Sequence, residues 1–126
     1  MVFAGRRDRF SLSFKEKIQN IEQATKAGSA LTLIIYADYG GRDEVARAIA
    51  SGATTEEQIS RELAKISPEP DVILRTGGEK RLSNFMLWQA AYAELFFLDV
   101  LFPDLTSKVL DLVKSDYNNR KRNFGK

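Results

Sequence analysis

At 126 residues the chain is long enough for one hydrophobic core, and its 44% hydrophobic and 29% charged residues are an ordinary globular balance. A formal net charge of only +2 does not argue for nucleic acid as a partner. With no cysteine and no histidine, disulfides, thiolate nucleophiles, zinc–sulfur sites, Ser-His-Asp triads and His-ligated zinc are excluded, so any chemistry falls to carboxylates, Arg, Lys, Tyr or a bound cation.

The opening residues Met1 to Phe10 lack the apolar core of a signal peptide, and no run approaches the roughly 20 apolar residues of a membrane span. The expected location is the cytoplasm. Val2 to Gly5 reads as the end of a short strand whose partners lie on missing chain, and Arg6 to Phe10 as a charged turn. Ser13 with Glu16 fits a capping box, Phe14, Ile18 and Ile21 recur at helical spacing, and Gly28 stands where a helix C-cap belongs. Leu31 to Ala37 is a near-continuous apolar run that suits a strand covered on both faces.

Asp38 to Gly41 makes a turn, and a helix from Asp43 to Ala50 places Val45, Ala46 and Ile49 on one face and closes at Gly52. Thr54 with Glu57 offers a second capping box ahead of Ile59, Leu63 and Ile66, and Pro68 and Pro70 end that helix. Arg42 reads either as an anion sensor at a strand end or as a salt-bridge partner within the helix N-terminus. The alternation of strand and helix with short turns predicts an α/β fold with a mostly parallel sheet and flanking helices.

The segment from Asp71 to Leu105 carries the densest signal. Val72-Ile73-Leu74 reads as a buried strand ending in Arg75, Thr76-Gly77-Gly78 as a flexible turn, and Ser83-Asn84 as the opening of a helix. That order brings Arg75, Arg81 and Ser83 to the carboxyl end of a strand and the amino end of a helix, where unpaired N–H groups and the helix dipole favour anions. Arginine adds a planar donor set that matches two phosphate oxygens at once. The segment is read as a diphosphate site. Phe85 to Leu95 reads as a helix apolar on more than one side, buried between its sheet and another body such as a second subunit. Phe96 to Leu98 is either a short strand or the last helical turn. Pro103-Asp104 is a break, and Thr106 to Asn119 a final helix with Val109, Leu112 and Val113 inward.

The run from Arg75 to Leu105, with Arg, Ser-Asn-Phe, Trp-Gln, Ala-Glu and Pro-Asp in register, resembles the C-terminal signature of the cis-prenyltransferases, the undecaprenyl diphosphate synthase family. Tyr36 to Val45 resembles that family's strand and Tyr-Gly-Gly-Arg turn, and Tyr117 to Lys126 its basic tail. The resemblance covers nearly the whole chain but only the C-terminal half of the family's domain, so residues 1–126 are expected to be part of a single domain. It implies a prenyltransferase activity, condensing isopentenyl diphosphate onto an allylic diphosphate to make a polyprenyl diphosphate. By resemblance, Arg75, Arg81 and Ser83 would hold isopentenyl diphosphate and Glu94 would help hold Mg²⁺, a hard cation suited to carboxylate and phosphate oxygens. The family also implies a homodimer and a peripheral membrane contact through the lipid product.

Each of these residues also has a plainer reading. Ser83 suits a helix N-cap, and Asn84 could cap in its place. Glu94 could lie on the outer stripe of its helix, Lys80 could be a solvated charge, and Glu79 could orient the arginines. Trp88 and Tyr92 suit core or interface better than substrate contact. The tail departs from the family: where members end in Arg-x-Gly, this chain has Asn123-Phe124-Gly125, with Arg122 just before. The family's Asp-Gly-Asn-Gly-Arg loop, which binds the allylic diphosphate and supplies the catalytic Asp, does not occur in these residues, nor does its Phe-Ser-x-Glu-Asn-Trp segment. The chain alone is therefore expected to be inactive. Two other readings remain: a non-catalytic partner of a complete synthase, and a generic anion-binding α/β module.

Overall fold

In the computed structural model, which describes residues 1–121, every strand pairing is parallel. The elements run β1 (Val2–Ala4), α1 (Leu12–Ala24), β2 (Ile34–Tyr36), α2 (Gly41–Ala50), α3 (Glu56–Ala64), β3 (Val72–Arg75), β4 (Glu94–Phe97) and α4 (Ser107–Asn119). Short 3₁₀ turns occupy Gln89–Tyr92 and Phe102–Asp104. The expected parallel α/β character holds, as two two-stranded ladders: β1 with β2 and β3 with β4. The chain packs as two compact units, one of Met1–Pro68 with Asn84–Trp88, the other of Glu69–Ser83 with the chain from Gln89 onward.

In the first unit β1 and β2 pair from Val2↔Ile34 to Ala4↔Tyr36. Only three residues of the apolar run Leu31 to Ala37 enter this ladder, and Leu31 and Leu33 stay exposed. Helix α1 starts two residues earlier than its sequence suggests. Ser11, not Ser13, is the N-cap and accepts from the Phe14 N–H, and the helix ends at Thr25 rather than at Gly28. Its side chain Ile18 is almost wholly buried. The α2–α3 pair packs on Ala48, Ala53, Ile59 and Leu63, with Val45 and Trp88 against them. Ala46 and Ile49 are exposed, so the buried stripe of α2 is Gly41, Glu44 and Ala48 instead of the expected face. The capping box of α3 is built by Thr55 with Gln58, one position beyond the expected Thr54 with Glu57. Asp43 pairs with Arg47 and Arg6, so the ion pairs at the start of α2 involve those arginines and not Arg42.

The expected helix over Phe85 to Leu95 does not form. Ser83, Asn84 and Met86 all take left-handed torsions (φ 49°, 66° and 45°), which no right-handed helix accommodates. The chain then makes its 3₁₀ turn and enters β4, so that Glu94 sits on a strand and Ser83 caps no helix. Trp88 is core, donating its indole N–H to Ser60 Oγ at 2.9 Å, whereas Tyr92 is 67% exposed.

In the second unit β3 and β4 pair from Val72↔Glu94 to Arg75↔Phe97, burying Ile73 and Phe96. Helix α4 is capped by Thr106. It buries no residue fully; Val109, Val113 and Tyr117 are half-buried at helical spacing, and Leu112, expected inward, is 70% exposed. No helix among the described residues is long and apolar enough to cross a membrane.

Candidate functional site

Arg75 is the last residue of β3, and its side chain turns onto the loop that follows. Its Nη1 donates to Ser83 Oγ at 3.0 Å and to the Arg81 carbonyl. The Arg81 guanidinium, more than half exposed, pairs with the Glu79 carboxylate. Lys80 is exposed beside them. The structure thus brings Arg75 and Ser83 into direct contact and joins Arg81 to them through its main chain.

The loop backbone contributes differently from expectation. Gly77 and Gly78 adopt positive φ (90° and 78°) and donate their N–H groups to Val100 and Leu98 carbonyls, each at 2.9 Å. Those donors are spent on prolonging the β3–β4 ladder, and no helix dipole opens at Ser83. The side-chain donors here are two guanidiniums, one hydroxyl and an ammonium, on a loop whose Gly77 and Gly78 N–H groups are already engaged. Such a set suits a ligand with several anionic oxygens.

Glu94 is not part of this group. Its partner in the ladder is Val72, and Arg75 pairs with Phe97, three positions further on. Side chains alternate along a strand, so Glu94 and Arg75 emerge from opposite faces and about 10 Å apart along the strand. Glu94 shares its face with Phe96. There Arg120 donates to Glu94 Oε2 at 2.7 Å and to Asp116 Oδ2 at 2.9 Å, with its guanidinium carbon 4.0 Å over the Phe96 ring. This arrangement raises the Arg120 pKa, first through the hydrogen bond to Glu94.

Among the described residues no three acidic, His or Cys side chains gather as a metal would need. The Glu94 carboxylate is engaged by a cation of the protein itself.

Sequence reasoning missed Arg120, which reads there as one charge of a basic tail; nothing in its spacing from Glu94 marks the pair. It also missed the true role of Asn84, whose Oδ1 and main-chain O accept from the first N–H groups of α2. Arg122 and the altered Asn123-Phe124-Gly125 ending lie outside the described residues.

Residues 1–125 match the family described as "Putative undecaprenyl diphosphate synthase". An isoprenyl transferase of Neisseria meningitidis serogroup B is 44% identical over 97% of this chain and 52% of the relative. One from Aquifex pyrophilus is 40% identical over 98% of this chain and 57% of the relative. A crystal structure of a "probable undecaprenyl diphosphate synthase" from Campylobacter jejuni superposes with a TM-score of 0.90 at 37% identity, covering 99% of this chain and 64% of the other. Lavandulyl diphosphate synthase from Lavandula x intermedia, solved with dimethylallyl diphosphate, gives 0.88 at 30% identity, over 99% and 59%. The fold and these matches define an α/β chain of prenyltransferase type. It belongs to the undecaprenyl diphosphate synthase family, the cis-prenyltransferases. The chain spans about half the length of the curated relatives it matches.

Proposed function

We propose that this chain supplies the isopentenyl diphosphate half-site of a cis-prenyltransferase that condenses isopentenyl diphosphate onto an allylic diphosphate. The observation that carries the reading is the direct contact of Arg75 with Ser83, on a loop that also presents Arg81. Arg75 and Arg81 would hold the diphosphate oxygens and Ser83 would donate its hydroxyl to them. That grip orients the alkene carbon toward the allylic carbon with which it bonds, so that much of the rate gain is positional. The new carbon–carbon bond forms as the allylic C–O bond breaks, releasing the allylic diphosphate, and a proton then leaves the isopentenyl unit; the isopentenyl diphosphate held by the two guanidiniums stays attached to the product. Glu94, engaged here by Arg120, is the carboxylate we assign to helping hold Mg²⁺, a hard cation suited to carboxylate and phosphate oxygens.

The allylic-diphosphate loop of the family has no counterpart in these residues, and we assign the chain alone little or no elongating activity. The complete enzyme is proposed to be a cytoplasmic homodimer. Calorimetric titration with isopentenyl diphosphate, compared with plain pyrophosphate, tests the half-site. Binding that favours isopentenyl diphosphate and weakens on Arg75→Ala supports it; equal affinities would reduce the chain to a generic anion-binding module. Incubation with isopentenyl and farnesyl diphosphates plus Mg²⁺ tests the rest, since clear elongation by the purified chain contradicts the assigned inactivity.

A further inference from the structure

We propose that the outer edge of β2 is a docking surface for one more parallel strand, carried by the part of the family's domain that this chain does not span. The proposal is independent of which ligand the Arg75 loop holds. Its frame is the β1–β2 ladder, in which Val2 faces Ile34 and Ala4 faces Tyr36. The Val2 N–H donates to the Leu33 carbonyl at 2.8 Å, and the Ala37 N–H to the Ala4 carbonyl at 2.9 Å. In a parallel ladder of this register, the main-chain groups of Phe3 turn toward one margin and those of Ile34 and Tyr36 toward the other.

The two margins are finished differently. On the β1 side the Phe3 N–H donates to Glu22 Oε1 at 2.9 Å, and Arg7 Nη2 donates to the Phe3 carbonyl at 2.6 Å. Arg7 Nη1 also donates to Glu22 Oε2 at 3.0 Å, so an ion pair takes the place of a neighbouring strand and shuts that edge. On the β2 side the Ile34 and Tyr36 N–H and C=O groups bond to nothing among the described residues. The sequence does not guard this margin either. Leu31 to Ala37 carries no charge and no proline, and Leu31 and Leu33 are 82% and 48% exposed. A strand edge that faces water is normally blunted by charge, proline or a covering element, and parallel ladders are normally covered by further structure. The relatives supply the occupant. The Campylobacter jejuni structure matches 99% of this chain but only 64% of its own, so that fold continues in residues with no counterpart here. Both ladders of this chain are parallel, and the added strand is assigned the same direction. Main-chain bonds to Ile34 and Tyr36 would supply the affinity, and the alternation of side chains would fix the register.

The test co-expresses the full chain with the part of the Neisseria meningitidis serogroup B isoprenyl transferase that lies outside its match to this chain. Amide hydrogen exchange is then read by NMR. In the chain alone the Ile34 and Tyr36 amides should exchange fast, and the Ile35 and Ala37 amides slowly. The two chains should co-purify, with Ile34 and Tyr36 becoming slow and Phe3, already bonded to Glu22, little changed. Ile34→Pro removes an outward N–H and no bond to β1, and should weaken the association about tenfold. A soluble Neisseria segment that fails to co-purify overturns the proposal, as does a complex in which both amides stay fast. Protection of both amides in a dimer of the chain alone makes a second copy the occupant and overturns it too. Should the separate segment be insoluble, or Ile34→Pro fail to fold, a single-chain fusion of the segment to this chain decides. Slow exchange at Ile34 and Tyr36 in that fusion supports the proposal, and fast exchange overturns it.

Discussion

Arg120 donates to the Glu94 carboxylate at 2.7 Å, joining the C-cap of α4 to the first residue of β4 across 26 residues of sequence. Because α4 buries no side chain fully, this bond is a fixed point between helix and ladder. A second is the Tyr117 hydroxyl, which donates to Asp71 Oδ1 at 3.3 Å. Arg120→Ala should lower the thermal unfolding midpoint by a few degrees. Arg120→Lys should recover only part of that, because an ammonium cannot bridge Glu94 and Asp116 while lying flat on Phe96. Combined with Glu94→Gln, Arg120→Ala should cost less than the sum of the two alone; strict additivity in the unfolding data would show the pair to be uncoupled.

Arg75→Lys should weaken isopentenyl diphosphate binding about tenfold, because a single ammonium replaces the planar donor set. The remaining affinity should fall as ionic strength rises, since the loop cations are exposed. Calorimetry at two salt concentrations reads both effects. An Arg75→Lys chain that binds normally would remove that guanidinium from the site.

Gly41→Ala puts a methyl group against main-chain atoms, the Leu87 N at 3.0 Å and the Asn84 O at 3.2 Å, which cannot swing aside as a side-chain tip can. The expected cost is about 1–3 kcal/mol of folding stability, measured by urea denaturation. Gly52→Ala has open space around its added carbon and is strained only by its positive φ, so the pair separates steric from torsional cost.

The stability of the chain should fall at both ends of the pH scale, for identifiable reasons. Glu22 is held by Arg7, and its folded-state pKa lies below the ordinary carboxylate value of 4.5. The stabilisation is therefore present above that value and lost as pH drops through the lower folded pKa. Tyr39 is pushed above the ordinary phenol value of 10.0, first by burial and then by its hydrogen bond to Glu44 at 2.7 Å. Its contribution is complete below pH 10.0 and disappears as pH climbs toward the raised folded value. Denaturation midpoints against pH should show Glu22→Gln flattening the acid limb and Tyr39→Phe the alkaline limb.

The order of strands and helices was legible because composition and periodicity are local. The capping residues were displaced by a position or two, since Ser11 and Ser13, or Thr54 and Thr55, carry the same chemistry and only the final backbone path selects one. Phe85 to Leu95 was misread for a deeper reason. Its apolar density suits a helix, yet Met86 holds a left-handed torsion and Glu94 and Leu95 pair with β3, a partner about twenty residues back in the chain. With the helix gone, Glu94 moved from an apolar helix to a strand face opposite Arg75, and its pairing with Arg120 could not be seen in spacing. The approach of Arg75 to Ser83 was legible because one short loop joins the end of β3 to the serine, eight residues on.

The Gly77 and Gly78 N–H groups, tied to the carbonyls of Val100 and Leu98, fix the start of the loop to β4's continuation through main-chain atoms alone. Recognition can then be rewritten by exchanging tips on an unchanging support. In evolutionary terms, a descendant could drift to a different anion, or abandon binding altogether, with scarcely any penalty in folding. Loss of affinity and loss of fold would be separable fates for this lineage.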